Sequence, residues 1–297
     1  MRLENAWESW AIDLRSRNLS YRTLETYKLA VDQLGDWMKQ RGHSLDVTQI
    51  TSRDLREFIG RMLDTRSATT ANQRYRSLRG LFKFLLAEGE IETDPLDKVT
   101  RPKIAEKQIE VVSEPQLKAL LDTCDPFDFR GRRDTAIIML MWDTGLRISE
   151  LTGLKVEDVS LALEVCWVDG KSGPRQVPFT IITTRAIDRY LRIRSKQRSA
   201  HLSDLWLTSR GGGKTRTLVM TRSGVAQMLR RRSEQASTGH LHAHMFRHAA
   251  ADRFLSAGMD EGSVMELLGW SDRSQLDRYG RSVRHRRAID SYRKLIH

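Results

Sequence analysis

Residues 164–178 read Glu164-Val165-Cys166-Trp167-Val168-Asp169-Gly170-Lys171-Ser172-Gly173-Pro174-Arg175-Gln176-Val177-Pro178, and they turn an otherwise helical chain into a mixed one. Two short β-like runs, 164–168 and 175–178, flank a centre in which Asp-Gly and Ser-Gly mark turns. The pair predicts an antiparallel hairpin with Lys171 at or near its tip. Alone, a turn lysine is an ordinary solvent-facing cation.

Upstream of the hairpin, Ala136, Ile137, Leu140 and Met141 form one apolar stripe, which predicts a buried helix. It halts at Asp143-Thr144-Gly145, and Leu146-Arg147-Ile148-Ser149-Glu150-Leu151 opens another helix. An arginine just after a glycine turn, between apolar neighbours, is oddly placed for a surface residue. The structural alternative is a salt bridge from Arg147 to Glu150 or Asp143. Further back, Ser113-Glu114-Pro115-Gln116 starts a helix with Pro in its first turn, followed by Leu117, Leu120 and Leu121 on one face.

Downstream of the hairpin, 181–194 is expected to be helical, Leu205-Trp206-Leu207 strand-like, and 223–232 helical. Gly211-Gly212-Gly213 before Lys214 lacks the Gly-x-x-x-x-Gly-Lys-Ser/Thr spacing of a phosphate loop. His240, His242, His244 and His248 have no matching Cys or carboxylate set, so no metal site is expected. His244 and Arg247, three apart, share a helix face and can grip a phosphate between an arginine fork and an imidazole. Leu268-Gly269-Trp270 follows, and Tyr279, a hydroxyl able to attack phosphorus, lies nine positions beyond Trp270. Each residue has a structural explanation by itself; the ordered set points to chemistry.

The first hundred residues predict a small helical bundle. Trp7, Trp10 and Leu14, then Leu24, Tyr27, Val31 and Leu34, keep a helical period. Ser20 is placed to cap the second helix, Gly42 to stop it, and Thr51-Ser52-Arg53-Asp54 to start a third. A fourth, about 69–87, carries Tyr75, Leu78, Phe82, Leu85 and Leu86 on its apolar face, with Asn72, Arg74, Arg76, Arg79 and Lys83 on its polar side. Asp94-Pro95 breaks the pattern, and polar 99–112, with Pro102, reads as a linker. The expected organisation is therefore a helical domain at 1–98, a linker at 99–112 and a second domain at 113–297.

The chain has 297 residues and a formal charge of +12, and the charge is lopsided. Residues 1–100 hold 16 of the 50 Lys/Arg and 15 of the 38 Asp/Glu, a net of +1, so 101–297 carry 34 against 23, a net of +11. Such an excess fits phosphate neutralisation on nucleic acid better than a merely solvated cationic surface. No basic amphipathic anchor argues for a membrane surface, no apolar run is long enough to span one, and the N-terminus has no apolar signal core. Two cysteines in no ligand spacing are expected to be reduced thiols in a cytoplasmic protein.

With these residues placed, the chain resembles the tyrosine recombinase (phage integrase) family over nearly its whole length. Thr144-Gly145-Leu146-Arg147-Ile148-Ser149-Glu150-Leu151 is similar to the family's first box, and Gly170-Lys171 to its hairpin lysine. His244-Met245-Phe246-Arg247-His248 is similar to the second box, Leu268-Gly269-Trp270 to a segment more often written Leu-Gly-His, and Tyr279 falls at the nucleophile spacing. The resemblance implies a fold that is mainly α with a small antiparallel β-sheet: a SAM-like helical bundle and a mixed catalytic domain. It implies catalytic roles for Arg147, Lys171, His244, Arg247, Trp270 and Tyr279, with Glu150 bracing Arg147, and DNA contacts from the basic side of the fourth helix. A 3′-phosphotyrosyl link to double-stranded DNA keeps the bond energy, so no cofactor is expected.

The resemblance further implies a dimer on one core site and a tetramer in synapse, with a tail helix at about 284–296 (Ile289, Tyr292, Leu295, Ile296) docking on a neighbour. The chain starts close to the helical bundle, so an extra arm-binding domain is not expected. A mobile-element integrase is the favoured role. Xer-like dimer resolution, a plasmid resolvase, a type IB topoisomerase and a DNA-binding module without catalysis are the alternatives.

Overall fold

The computed structural model describes residues 1–105, 110–170, 173–208, 218–276, 289, 292, 293 and 296. The chain forms two compact units, Met1–Lys107 and Gln108–His297.

The first unit is a bundle of α1 (Leu3–Ser16), α2 (Tyr21–Gln40), α3 (Ser52–Thr65) and α4 (Ala68–Ala87), with a 3-10 turn at Val47–Gln49 that the sequence pattern had not signalled. Local chemistry sets the boundaries. The Ser20 hydroxyl accepts from the Thr23 N–H and starts α2. Thr51 and Asp54 cap each other's backbone N–H at the start of α3, satisfying two donors that an uncapped helix leaves orphaned. Gly42 follows α2 in the left-handed region. α4 packs against the other three helices and buries Tyr75, Leu78, Leu81, Phe82 and Leu85, whereas Leu86, expected on that face, is exposed. Trp10 stacks on Tyr27, centroids 5.0 Å apart. Leu96 and Val99 belong to this core, and Val112 to that of the second unit, so both ends of the 99–112 stretch are packed.

The second unit contains α5 (Glu114–Asp122), α6 (Phe129–Thr144), α7 (Ile148–Gly153), β1 (Val159–Ser160), β2 (Val165–Gly170), β3 (Gly173–Pro178), α8 (Ile181–Arg194), α9 (Arg222–Gln235), α10 (Ala243–Ser256) and α11 (Glu261–Leu268). The sheet is antiparallel in the order β1-β2-β3, with Cys166 opposite Val177 and Gly170 opposite Gly173. α6 is buried along almost its whole length and packs against both α8 and α10. One carboxylate inside this core is heavily subscribed: Asp134, with no exposed surface, accepts from Arg133 and Arg232 at 2.7 Å each and from Arg231 at 3.4 Å. Leu205-Trp206-Leu207, expected to be strand-like, is fully buried and makes an isolated bridge, Leu207 to Val219. Its backbone is also held by the Leu205 N–H to the Leu154 carbonyl, by the Met220 N–H to the Trp206 carbonyl, and by the Tyr190 hydroxyl, which donates to the Leu205 carbonyl and accepts from the Leu207 N–H. No described helix is long and apolar enough to cross a membrane.

Candidate active site

The site is built where the Gly145 turn meets the end of α11. Gly145 closes α6 in the left-handed conformation, and a Cβ there would lie 2.8 Å from Leu268 Cδ2 and 2.9 Å from Ala250 Cβ. Glycine is required twice over, by backbone geometry and by the close approach of α10 and α11. Arg147, two residues on, is the N-cap of α7. Its backbone N–H donates to Glu150 Oε2 at 2.9 Å, and its Nη1 donates to Glu150 Oε1 at 2.8 Å. Of the two partners the sequence offered Arg147, Glu150 is therefore the one used. Asp143 instead accepts from the Thr180 N–H and from the Thr180 and Thr183 hydroxyls.

Arg247 enters from the buried side of α10. Its Nη1 donates to the Gly145 carbonyl at 3.0 Å and its Nη2 to the Leu268 carbonyl. Arg147 Nη2 donates to the next carbonyl, Gly269, at 2.6 Å. The last carbonyls of a helix have no partner within it and carry the negative end of its dipole, so guanidinium groups are well placed there. Gly269 itself ends α11 in the left-handed region, and Trp270 follows, buried beneath Arg247, whose guanidinium carbon lies 5.3 Å from the indole centroid. His244, exposed in the first turn of α10, sets its ring against that of His248, centroids 4.2 Å apart. Arg147, Glu150, Arg247 and Trp270 are thus gathered around the Gly145 turn and the end of α11, and His244 lies one turn before Arg247 on α10. Lys171 and Tyr279 lie outside the described residues.

A residue that the sequence reading did not single out completes the group. Arg175 on β3 sends Nη1 and Nη2 to the two carboxylate oxygens of Glu150, at 3.1 and 3.0 Å, and Nε to the Leu267 carbonyl at 3.0 Å. Three consecutive carbonyls, Leu267, Leu268 and Gly269, therefore each hold a different arginine. Burial pushes the Glu150 carboxyl up, but hydrogen bonds from Arg175 and from the Arg147 backbone and side chain outweigh it and leave the group below its usual range. Gly170, the last residue of β2, has no room for a side chain, since a Cβ would overlap Glu150 Oε1. The signal for Arg175 was in the pattern: it shares a strand face with buried Val177, two residues away. Burial pushes the thiols of both Cys124 and Cys166 up, Cys166 to about 12, which leaves neither as a ready nucleophile.

The expected DNA-facing stripe of α4 is smaller than the sequence implied, and two of its members are corrected. Asn72 and Arg74 are buried: Asn72 Nδ2 donates to the Pro102 carbonyl at 2.7 Å, and Arg74 Nε donates to Gln33 Oε1 at 2.6 Å. Arg79 is half-buried against Asp94 and Asp97. α4 touches three other helices, so much of its polar side turns inward and is satisfied there. Arg76 and Lys83 remain exposed.

Comparison with known proteins places the chain in a family. The model of the phage integrase family matches residues 110–286, and that of the phage integrase N-terminal SAM-like domain matches residues 8–89. A tyrosine recombinase XerD of Corynebacterium glutamicum is 32% identical over 277 residues, 89% of each chain. A tyrosine recombinase XerC of Oceanobacillus iheyensis is 30% identical over 270 residues, 89% of this chain and 86% of that one. Among solved structures, the Tn1549 transposon integrase in complex with transposon right end DNA superposes with a TM-score of 0.76 at 22% identity, covering 99% of both chains.

Proposed function

Because the chain belongs to the phage integrase family of tyrosine recombinases, we propose that it cuts and rejoins double-stranded DNA at a specific core site through a 3′-phosphotyrosyl link to Tyr279. The observation that supports this most is the convergence of Arg147 and Arg247 on adjacent carbonyls of one helix end, which brings two cations together. Such a pair can neutralise the non-bridging oxygens as charge builds on a pentacoordinate phosphorus, and a planar fork serves there better than the point charge of lysine. Glu150 braces Arg147. His244, exposed in the first turn of α10, orients the phosphate or takes the tyrosyl proton. Lys171 protonates the departing 5′-oxygen. Trp270 packs under Arg247 and keeps its plane fixed. The tyrosyl ester conserves the energy of the broken bond, so religation to a second strand needs no nucleotide and no metal.

Strand exchange then proceeds through a Holliday junction within a tetramer. Ile289, Tyr292 and Ile296, the described apolar residues of the tail, are all exposed, which supports docking of an apolar face on a neighbouring protomer. Removal of residues 284–297 is expected to weaken cooperative DNA binding while leaving single-site binding. The unusual Leu268-Gly269-Trp270 favours a mobile-element role, and the similarity to XerC and XerD favours dimer resolution; both use the same chemistry on DNA inside the cell.

The test is a nicked suicide duplex bearing the site that the protein itself enriches from random DNA. The parent protein is expected to form a covalent adduct, and Tyr279→Phe none. No adduct from the parent, or an undiminished one from the variant, refutes the reading.

A further inference from the structure

Glu150 raises an electrostatic problem for a phosphate-cleaving centre. A carboxylate directly on Arg147 cancels the charge that the phosphate needs. The two arginines that share Glu150 are not equivalent. The Arg175 side chain is only 6% exposed and covers both carboxylate oxygens; the Arg147 side chain is 30% exposed and gives Glu150 only one arm of its fork. The trio carries two positive charges and one negative, and the surplus charge sits on the arginine that solvent, and hence a phosphate, can reach.

We propose that Arg175 is a positioning residue that neutralises Glu150 and anchors it to the end of α11, so that Arg147 is braced without being silenced. The proposal rests on the reading of this site as the DNA-cleaving centre. Without Arg175, Arg147 becomes the only cation hydrogen-bonded to Glu150 among those the geometry assigns it, and the trio falls from a net +1 to zero. The Leu267 carbonyl also loses its donor, beside the two carbonyls that hold Arg247 and Arg147. Packing alone does not account for this arrangement. A buried arginine serving only to fill space does not need a bidentate contact with a carboxylate that already pairs with the phosphate-binding arginine.

The charge logic yields a rescue that a purely structural role does not. Arg175→Met is expected to slow adduct formation on the suicide duplex about 10²-fold, the scale of losing one preorganised electrostatic interaction, with DNA affinity unchanged. Adding Glu150→Gln to Arg175→Met removes the unneutralised carboxylate and restores the net +1. The double variant is therefore expected to cleave at least about tenfold faster than Arg175→Met, a gain of about 1.4 kcal/mol in barrier. Arg175→Lys keeps the charge and is expected to cleave much faster than Arg175→Met even if both lower the thermal midpoint. A double variant no faster than Arg175→Met, a Lys variant as slow as the Met variant, or Arg175→Met cleaving like the parent overturns the role of Arg175 alone. A parent that forms no adduct refutes the recombinase reading and this role with it.

Discussion

Replacing Gly145 with alanine perturbs the fold and the site through one methyl group. Gly145 holds φ at +60°, where an L-residue costs about 1–2 kcal/mol. The new Cβ also meets Leu268 Cδ2 at 2.8 Å and Ala250 Cβ at 2.9 Å. Leucine can rotate away, but the alanine methyl is fixed to α10, so the helix itself must move, and overpacking of this kind costs about 1–3 kcal/mol. The sum, about 2–5 kcal/mol, lowers the thermal midpoint of a domain of this size by roughly 4–20 °C. The same displacement carries Arg247, whose Cα lies 3.4 Å from the added atom and whose Nη1 bonds the Gly145 carbonyl. Misplacement of a phosphate-binding group by about 1 Å costs on the order of 10²-fold in rate. Calorimetry gives the first quantity and the suicide-duplex adduct rate at a temperature where the variant is folded gives the second. A midpoint within about 2 °C of the parent, less than 1 kcal/mol, together with an unchanged rate, refutes the reasoning.

Three further outcomes are expected. Asp134→Asn leaves Arg133 and Arg232 buried without their carboxylate and is expected to cost about 3–5 kcal/mol of stability, read from denaturant unfolding. Glu150 has a folded pKa below its ordinary value of 4.5, so its ionised form stabilises the fold above that pH and the contribution fades as pH falls through the folded pKa. The stability gap between the parent and Glu150→Gln is therefore expected to narrow in acid below pH 4.5 and to stay constant above it. Arg76→Ala and Lys83→Ala are each expected to weaken DNA binding and to reduce the salt slope by about 0.9 for each phosphate no longer neutralised, with the thermal midpoint unchanged. Asn72→Ala and Arg74→Ala are expected to lower the thermal midpoint and to leave the salt slope unchanged.

Much of this protein is legible from its sequence because the informative residues are local. Ser20, Thr51 and Ser113 cap helices within three residues of themselves, and the hairpin of β2 and β3 is written in adjacent turn residues. Arg147, His244 and Arg247 are visible because each sits in an ordered neighbourhood of helix starts and glycine turns. What could not be read depends on long-range pairing. Arg175 reaches Glu150, 25 positions away, and Leu267, 92 positions away, and no local rule names those partners. Asn72 and Arg74 were placed on a solvent face because helical period assigns polar residues outward; Gln33 and Pro102, which satisfy them inside, lie 41 and 30 positions away. β1, two residues long, is too short to carry a periodic signal, and its pairing comes from β2.

The measurement closest to the centre of the mechanism is the identity of the covalently linked residue. After cleavage of the nicked duplex, trypsin is expected to release Tyr279-Gly280-Arg281 carrying the DNA, bounded by Arg278 and Arg281. Mass spectrometry of that peptide should place a phosphodiester on the tyrosine, joined to the 3′ end of the cut strand, with a free 5′-hydroxyl on the released one. DNA attached to any other residue, or a 5′-phosphoryl link with a free 3′-hydroxyl, contradicts it.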